Sequence, residues 1–243
     1  MFKNLKKISL PPPPLIVEVL LPESFLTQAG VIEFTNLQRL KNGLPPLKEN
    51  QQLNNSALAK AKDMLDRQYF EHTSPENIGP AELAKEAGYE FIVIGENLAL
   101  GDFENDEKLV DNWMASPGHR ANILNPQYQE IGVAVLKGKF KDRITWVAVQ
   151  HFGKPLSACP QPSEQIFSEI RENQSNLEKM YLSLVELERD IKAFKPKRTL
   201  EYNQKVGEYN LLVDKYNSLI ERTKILVEKY NNQVILFNEC VQK

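Results

Sequence analysis

Three residues stand out in the sequence because their side chains could do chemistry together. His72 and His119 lie in polar, turn-rich segments, and Glu96 follows an apolar, strand-like run. Two imidazoles and one carboxylate could hold a divalent metal with an open coordination position, or act as an acid and base pair. The alternative is that both histidines are only solvated loop residues, since their spacing matches no local metal motif. The third histidine, His151, lies in a predicted strand and is expected to be a packed residue.

The composition excludes several classes of protein. With 243 residues, 42% hydrophobic and 26% charged, the chain is long enough for one domain of about 150 residues and a smaller unit. Its 30 basic and 32 acidic residues give a net charge of −2. The chain therefore lacks the excess of positive charge that is typical of nucleic-acid-binding proteins. The best apolar stretch, Leu15 to Leu21, contains Glu18 and falls short of the roughly 18 residues of a transmembrane helix. We therefore expect neither a nucleic-acid-binding nor an integral membrane protein.

Residues 1–24 are predicted to form a proline-rich N-terminal extension. Lys3, Lys6 and Lys7 would suit the basic region of a secretion signal. The four prolines at 11–14, together with Glu18, interrupt the apolar run that should follow. No clear signal peptide is therefore predicted.

Helix and strand patterns alternate over residues 25–158, and this region has to position the three candidate residues. The spacing of apolar residues and the capping residues predict helices at 26–41, 57–68, 80–87 and about 106–115. Ser56 is the predicted N-cap of the second helix, and Pro117-Gly118 is the predicted stop of the fourth. Strands are predicted at 91–94, 131–136 and 144–152, the last two flanking a hairpin loop at 137–143. Their consecutive apolar residues predict a small, largely antiparallel sheet with helices on both faces.

The remaining residues, 159–243, carry a different pattern. Apolar residues recur at alternating spacings of three and four, which is typical of a heptad coiled coil. Pro196, within the sequence Lys195 to Arg198, should break the helix into arms at about 164–194 and 199–242. We expect an antiparallel hairpin, and the alternative is one bent helix in a parallel homodimer.

An antiparallel hairpin also makes a prediction about the two cysteines. Folding about Lys197 brings the end of the second arm beside the start of the first, so Cys240 would lie near Cys159. We therefore predict a disulfide between them, which would indicate an oxidising compartment. The alternative is two unrelated cysteines.

Residues 25–154 resemble the bacterial branch of the CAP superfamily, which is named after cysteine-rich secretory proteins, antigen 5 and pathogenesis-related proteins. The motifs that carry the resemblance occur in the order of the family: 34–39 (FTNLQR), 43–47 (GLPPL), 70–75 (FEHTSP), 95–98 (GENL), 113–124 (WMASPGHRANIL), 131–133 (IGV) and 150–153 (QHFG). The resemblance implies an α-β-α sandwich with a surface cleft, in an extracellular or cell-envelope protein. The predicted fold class is thus α+β, a CAP domain followed by an all-α antiparallel coiled-coil hairpin.

The resemblance also assigns roles to residues. It implies that His72, Glu96 and His119 line the cleft as catalytic candidates, and that the two histidines bind a divalent metal such as zinc. The family's second glutamate, three residues after the helix tryptophan, is replaced here by Ser116, so the site has one fewer anionic ligand. Further candidate binding residues near the cleft are Asn97, Ser116, Arg120 and Asn122.

These expectations leave three interpretations of function open. The first is a binding module for a hydrophobic small molecule or envelope component, with the coiled coil as a spacer or docking arm. The second is a metal-assisted, peptidase-like hydrolase that uses His72, Glu96 and His119. The third is a structural protein whose hairpin binds a protein partner or forms a homodimer. Whether the chain is an enzyme stays open, because a fold alone does not decide chemistry.

Overall fold

The structure, a computed structural model, describes residues 7–8, 11–17, 24–197 and 199–242. Lys3, Lys6 and Glu18 of the signal-peptide argument and Arg198 of the predicted helix break lie outside the described residues. The chain forms two compact units, residues 1–158 and 159–243. Among the described residues, no helix combines the length and the apolar composition that crossing a membrane requires.

The first unit contains strands and helices in alternation. In chain order its elements are β1 (Lys7–Ile8), β2 (Leu15–Ile16), α1 (Gln28–Lys41), β3 (Lys48–Glu49), α2 (Gln51–Arg67), α3 (Pro80–Glu86), β4 (Phe91–Gly101), α4 (Asp106–Ala115), α5 (Pro117–Ile123), β5 (Glu130–Phe140) and β6 (Arg143–Pro155), followed by a 3-10 turn (Leu156–Ala158). The sheet order is β1-β4-β6-β5-β3, and β2 also pairs with β4. The three long strands β4, β6 and β5 are antiparallel, whereas the short strands pair in parallel.

Helices cover this sheet on both sides. Helices α2 and α3 contact each other, and α2 packs on β5 and β6, while α1, α4 and α5 form a second group that contacts β4 and β5. All eleven residues of β4 are buried as a result. The predicted α+β class and the α-β-α arrangement are confirmed, because a strand can be apolar on both sides only when both sides are covered.

Two local predictions were wrong and one further helix was not predicted, and each difference moves a site residue. Helix α2 begins at Gln51, because the side chain of Asn50 caps it, so Ser56 lies inside the helix and is not its N-cap. Strand β4 continues to Gly101, so Glu96 lies within a strand and does not follow one. The predicted stop of the helix at 106–115 is confirmed, since α4 ends at Ala115, but Pro117 has a second role that was not predicted. It starts α5 as its first residue, a position that proline favours, and thereby places His119 on a short helix.

The second unit is a helical hairpin of α6 (Glu164–Ala193) and α7 (Leu200–Gln242). Ion pairs join Glu169 to Arg222 and Asp190 to Lys205, so the two helices run antiparallel. The chain folds back on itself, as the expected antiparallel hairpin requires. The predicted disulfide is confirmed, with Cα atoms 5.7 Å apart, and it links Cys159 to Cys240.

Candidate functional site

Glu96 forms the centre of the candidate site. Its side chain is fully buried on β4, and each carboxylate oxygen has a histidine partner. Oε1 lies 2.6 Å from Nδ1 of His72, and Oε2 lies 2.8 Å from Nε2 of His151. Burial alone would raise the pKa of Glu96, but the hydrogen bonds from His151 and His72, with the positive charge of Lys60, outweigh it and lower the pKa overall. The carboxylate is therefore ionised and closed off from solvent.

His151 is a member of the site that the sequence argument left aside as a packed residue. The antiparallel register of β4 and β6 places it directly opposite Glu96. Its second nitrogen, Nδ1, lies 2.8 Å from the hydroxyl of Ser56 on α2. Both ring nitrogens are thus engaged in a buried environment, so His151 holds the carboxylate in place and has no nitrogen left for a ligand.

His72 projects from the loop between α2 and α3. Nδ1 faces the carboxylate of Glu96, and Nε2 lies 2.5 Å from the backbone oxygen of Pro12. Both ring nitrogens of His72 are thus engaged by oxygen atoms of the protein. The backbone of this loop is held by the buried Lys60, whose Nζ donates to the carbonyl of His72 at 2.8 Å. Sequence reasoning missed Lys60, because a lysine within a helix is normally a surface residue.

Among the described residues, His119 is the one histidine with a ring nitrogen that has no hydrogen-bond partner. Its side chain is 1% exposed, and Nδ1 lies 2.9 Å from the hydroxyl of Ser116. Nε2 is buried and has no hydrogen-bond partner within the described part of the chain. Burial, helped by the positive charge of His72, lowers the pKa of His119 to about 4. The ring is therefore neutral at pH 7 and leaves one buried polar atom unsatisfied, which is costly.

The two asparagines predicted at the cleft brace the backbone around these groups. Asn97 donates to the carbonyl of His119 and to the side chain of Gln150, both at 3.2 Å. Asn122 donates to the carbonyl of Glu96 and to the side chain of Asn97, both at 3.0 Å. Both are buried, whereas Arg120 is exposed. The structure therefore brings His72, Glu96, His119, Ser116, Asn97 and Asn122 together and leaves Arg120 at the surface.

The residues as arranged do not fit a bound metal. Both nitrogens of His72 and both oxygens of Glu96 are engaged by other protein groups, which leaves His119 Nε2 as a single open donor atom. Across the described ranges, no group of three or more His, Cys, Asp or Glu side chains is placed to hold an ion. A zinc site usually takes at least three protein ligands. The metal expected from the sequence stays a prediction.

A separate groove of about 690 Å³ lies at the far end of β4. Its walls include Ile16 and Val17 from the N-terminal segment and Tyr69, Phe70 and Phe140 from the domain. None of the three candidate residues His72, Glu96 and His119 contributes to it. This groove and the cluster around Glu96 are thus different places on the domain.

Comparison with known proteins identifies the first unit. The family model described as "Cysteine-rich secretory protein family" (CAP) matches residues 32–152. These residues are a CAP domain. The polar cluster of Glu96 and its neighbours lies on elements inside the matched range, except for the contact from Pro12.

Two curated relatives come from Bacillus subtilis, and both match through the CAP domain. The uncharacterized protein YkwD is 44% identical over 107 residues, covering 44% of this chain and 41% of its own length. The uncharacterized membrane protein YlbC is 31% identical over 109 residues, covering 45% of this chain and 31% of its own length. The chain thus spans less than half the length of the curated relatives it matches.

Solved structures that are similar to this chain include an extracellular SCP-domain protein from Bacillus anthracis, with 29% sequence identity and a TM-score of 0.45. It matches 52% of this chain and 40% of its own. An outer surface protein from Borrelia burgdorferi is 22% identical with a TM-score of 0.45, over 51% of this chain and 90% of its own.

Proposed function

We propose that this chain is a binding protein of the cell exterior or envelope, whose CAP cleft holds a ligand through His72 and His119 without turning it over. The observation that carries the proposal is the state of the polar cluster. Its only carboxylate is sealed between two histidines, whereas a buried imidazole nitrogen of His119 has no partner in the described residues. Such an arrangement can donate or accept a hydrogen bond, whereas its carboxylate is not free to act as a base.

The hydrolase alternative requires Glu96 to deprotonate or orient a water molecule. Its side chain is 0% exposed, and both of its oxygens already accept hydrogen bonds. Its lowered pKa also makes it a weak base at neutral pH. Ser116 lies within hydrogen-bond distance of His119, but a nucleophile and base pair needs a third group to orient the base, and His119 Nε2 has no such partner among the described residues. These observations favour binding over catalysis.

The location is proposed from two further observations. The matching family is described as one of cysteine-rich secretory proteins, and the chain contains a disulfide. Disulfides persist in oxidising environments outside the cytosol.

We also propose that the helical hairpin acts as a spacer or docking arm, because it exposes large apolar side chains such as Tyr181, Leu182 and Ile225. A homodimer through the hairpin stays a prediction, to be checked by analytical ultracentrifugation.

The binding proposal can be tested by histidine-selective NMR on the full chain, because the chain has only three histidines. Three probes represent the ligand classes: a proline-containing peptide, lysophosphatidylcholine micelles and zinc chloride. We expect a saturable shift of the His72 and His119 side-chain signals with one probe, abolished by His119→Gln and kept in the exposed neighbour variant Arg120→Ala. Mass spectrometry of the same samples should show no product.

Two results would contradict this proposal. One is product formation that disappears in Glu96→Gln, which would support the hydrolase. The other is the absence of any histidine shift with all three probes.

A further inference from the structure

The N-terminal segment of the chain lies along the edge of β4, beside the candidate site. Leu15 and Ile16 pair in parallel with Ala99 and Leu100, and the backbone N–H of Val17 donates to the carbonyl of Leu100 at 2.8 Å. At Gly101, with φ of 144°, a Cβ atom would overlap the backbone oxygen of Val17. The domain therefore has a glycine where the segment approaches closely.

The prolines before this strand lie outside the sheet, and Pro12 contacts His72 and Gly118 of the candidate site. Pro11 and Pro13 are exposed, but Pro12 between them is buried. Its carbonyl accepts the hydrogen bond from His72 Nε2 at 2.5 Å. Its ring lies against Gly118, where a Cβ atom would overlap the Cβ of Pro12. One proline is thus fixed by a polar and a steric contact at the same time.

We propose that the His72 cleft is a binding site for an extended, proline-containing peptide that adds in parallel to β4, and that residues 11–17 occupy this site in cis as an intramolecular competitor. Every contact of the segment is one that a peptide from another protein can make. It offers a backbone carbonyl to His72, a proline ring to Gly118, and a strand to the edge of β4. Addition of a strand to an exposed sheet edge is a common mode of peptide recognition. This inference rests on the proposed binding function and names its ligand class.

Protection of the sheet edge does not by itself explain these contacts. A covering strand needs regular backbone pairing, and proline lacks the N–H that such pairing uses. The four consecutive prolines at 11–14 are therefore a poor edge strand, and none of them lies in a strand. Their polyproline character suits recognition through a ring and a carbonyl, because such a segment is extended before it binds and loses little entropy.

The segment also leaves part of the site unused. His119 Nε2, next in sequence to Gly118, is buried without a partner in the described residues. A peptide with an additional polar group at this position gains a hydrogen bond that residues 11–17 do not make. An external ligand can therefore displace the segment, although the segment has the advantage of a high effective concentration.

The test measures binding of a fluorescent peptide with the sequence of residues 11–17, PPPPLIV, to full-length protein by fluorescence anisotropy. Val17→Pro removes the N–H that donates to Leu100, and Pro12→Asp independently disrupts the packing against Gly118. Each should release the segment and tighten peptide binding by about tenfold or more relative to wild type, because the intramolecular competitor is lost. Val17→Ala keeps the N–H and is the matched control, with affinity close to that of the wild type.

Second substitutions in the Val17→Pro background locate the binding site. Adding His72→Ala or Gly118→Ala should return the affinity to the wild-type level or below, whereas Gly207→Ala, on the hairpin in open space, should not. A peptide with alanine at its second position should bind more weakly.

The outcomes separate this inference from the proposed function. No gain of peptide affinity in either Val17→Pro or Pro12→Asp overturns the peptide inference, and so does a gain that survives both His72→Ala and Gly118→Ala. If zinc or lysophosphatidylcholine still shifts the His119 signal in that case, the binding function stands and only its ligand class is wrong. If no probe shifts the signal, both fail.

Discussion

The CAP domain and the helical hairpin differ in where their charged side chains lie and in what these side chains contribute to stability. In the domain, Lys60, Glu96 and His151 are fully buried and bonded to partners from distant parts of the chain. In the hairpin, ion pairs such as Glu186 with Arg189 lie at the surface, where they add little stability. The domain therefore depends on a few irreplaceable polar contacts, whereas the hairpin depends on its apolar contacts and one covalent bond.

This difference can be measured because the two units carry different spectroscopic reporters. Both tryptophans, Trp113 and Trp146, belong to the CAP domain, so tryptophan fluorescence follows the domain alone. Helical circular dichroism is dominated by α6 and α7, the two longest helices of the described chain. Tryptophan fluorescence should therefore respond only to substitutions in the domain, whereas the helical signal, to which α1–α5 also contribute, should respond mainly to substitutions in the hairpin.

The largest effect is expected for Glu96→Ala. It removes the carboxylate that both His72 and His151 contact, and leaves the buried Lys60 without the negative charge near it. Breaking a buried charged pair by removing one partner costs about 3–5 kcal/mol. Denaturant unfolding followed by tryptophan fluorescence should show this loss, while the exposed control Glu86→Ala stays within about 0.5 kcal/mol of wild type. A loss below about 1 kcal/mol for Glu96→Ala would mean that the cluster does not stabilise the domain.

The disulfide should have the next largest effect, and on the other unit. Cys159 and Cys240 are 81 residues apart, and closing a loop of that length stabilises a fold by about 4.5 kcal/mol in the chain-entropy model. We expect Cys159→Ser/Cys240→Ser to destabilise the helical transition by about 2–4 kcal/mol. Reduction of the wild type should reproduce the change. An equal shift of the tryptophan transition would show that the two units do not unfold independently.

Acid should destabilise the domain before the hairpin. The pKa of His119 is lowered from 6.5 to about 4, so between these values the unfolded chain binds a proton that the folded domain does not. Stability is then complete above pH 6.5 and falls as the pH drops toward 4, by at most about 1.4 kcal/mol per pH unit. The lowered pKa of Glu96 has the same sign at lower pH. Fluorescence-detected unfolding at several pH values should show this slope, and His119→Gln should flatten it between pH 6.5 and 4.

Much of the molecule could be predicted from sequence where the determining pattern is local. The seven-residue repeat predicted arms at about 164–194 and 199–242, and the structure has helices at Glu164–Ala193 and Leu200–Gln242. The disulfide followed from the same folding-back argument. The CAP motifs likewise placed His72, Glu96 and His119 in one cleft, and the structure brings their segments together.

The missed parts of the site depend on long-range register. Gly95, Glu96 and Asn97 interrupt the apolar run of β4, so the strand was predicted to end at Ile94. These polar residues continue the strand because partners elsewhere satisfy them, and His151 is one of them. The signal that could have revealed His151 is the pairing of β4 with β6, which no local pattern contains. The buried role of Lys60 was missed for the same reason, since the backbone oxygen it binds belongs to a separate loop.

The smallest expected effect concerns Asn173, a polar residue of the first arm at a position where the repeat spacing of three and four calls for an apolar side chain. Asn173 is buried on α6, and its Nδ2 has no hydrogen-bond partner within the described residues. An unsatisfied buried polar group costs about 1–3 kcal/mol, so Asn173→Leu should stabilise the hairpin by about 1 kcal/mol, less than the full amount because leucine must repack. The exposed neighbour variant Gln174→Leu is the control and should leave the helical transition unchanged. A destabilised Asn173→Leu hairpin would show that this asparagine has a partner that fixes the register of the two helices, and the contrast between the two units would then be weaker than the burial pattern indicates.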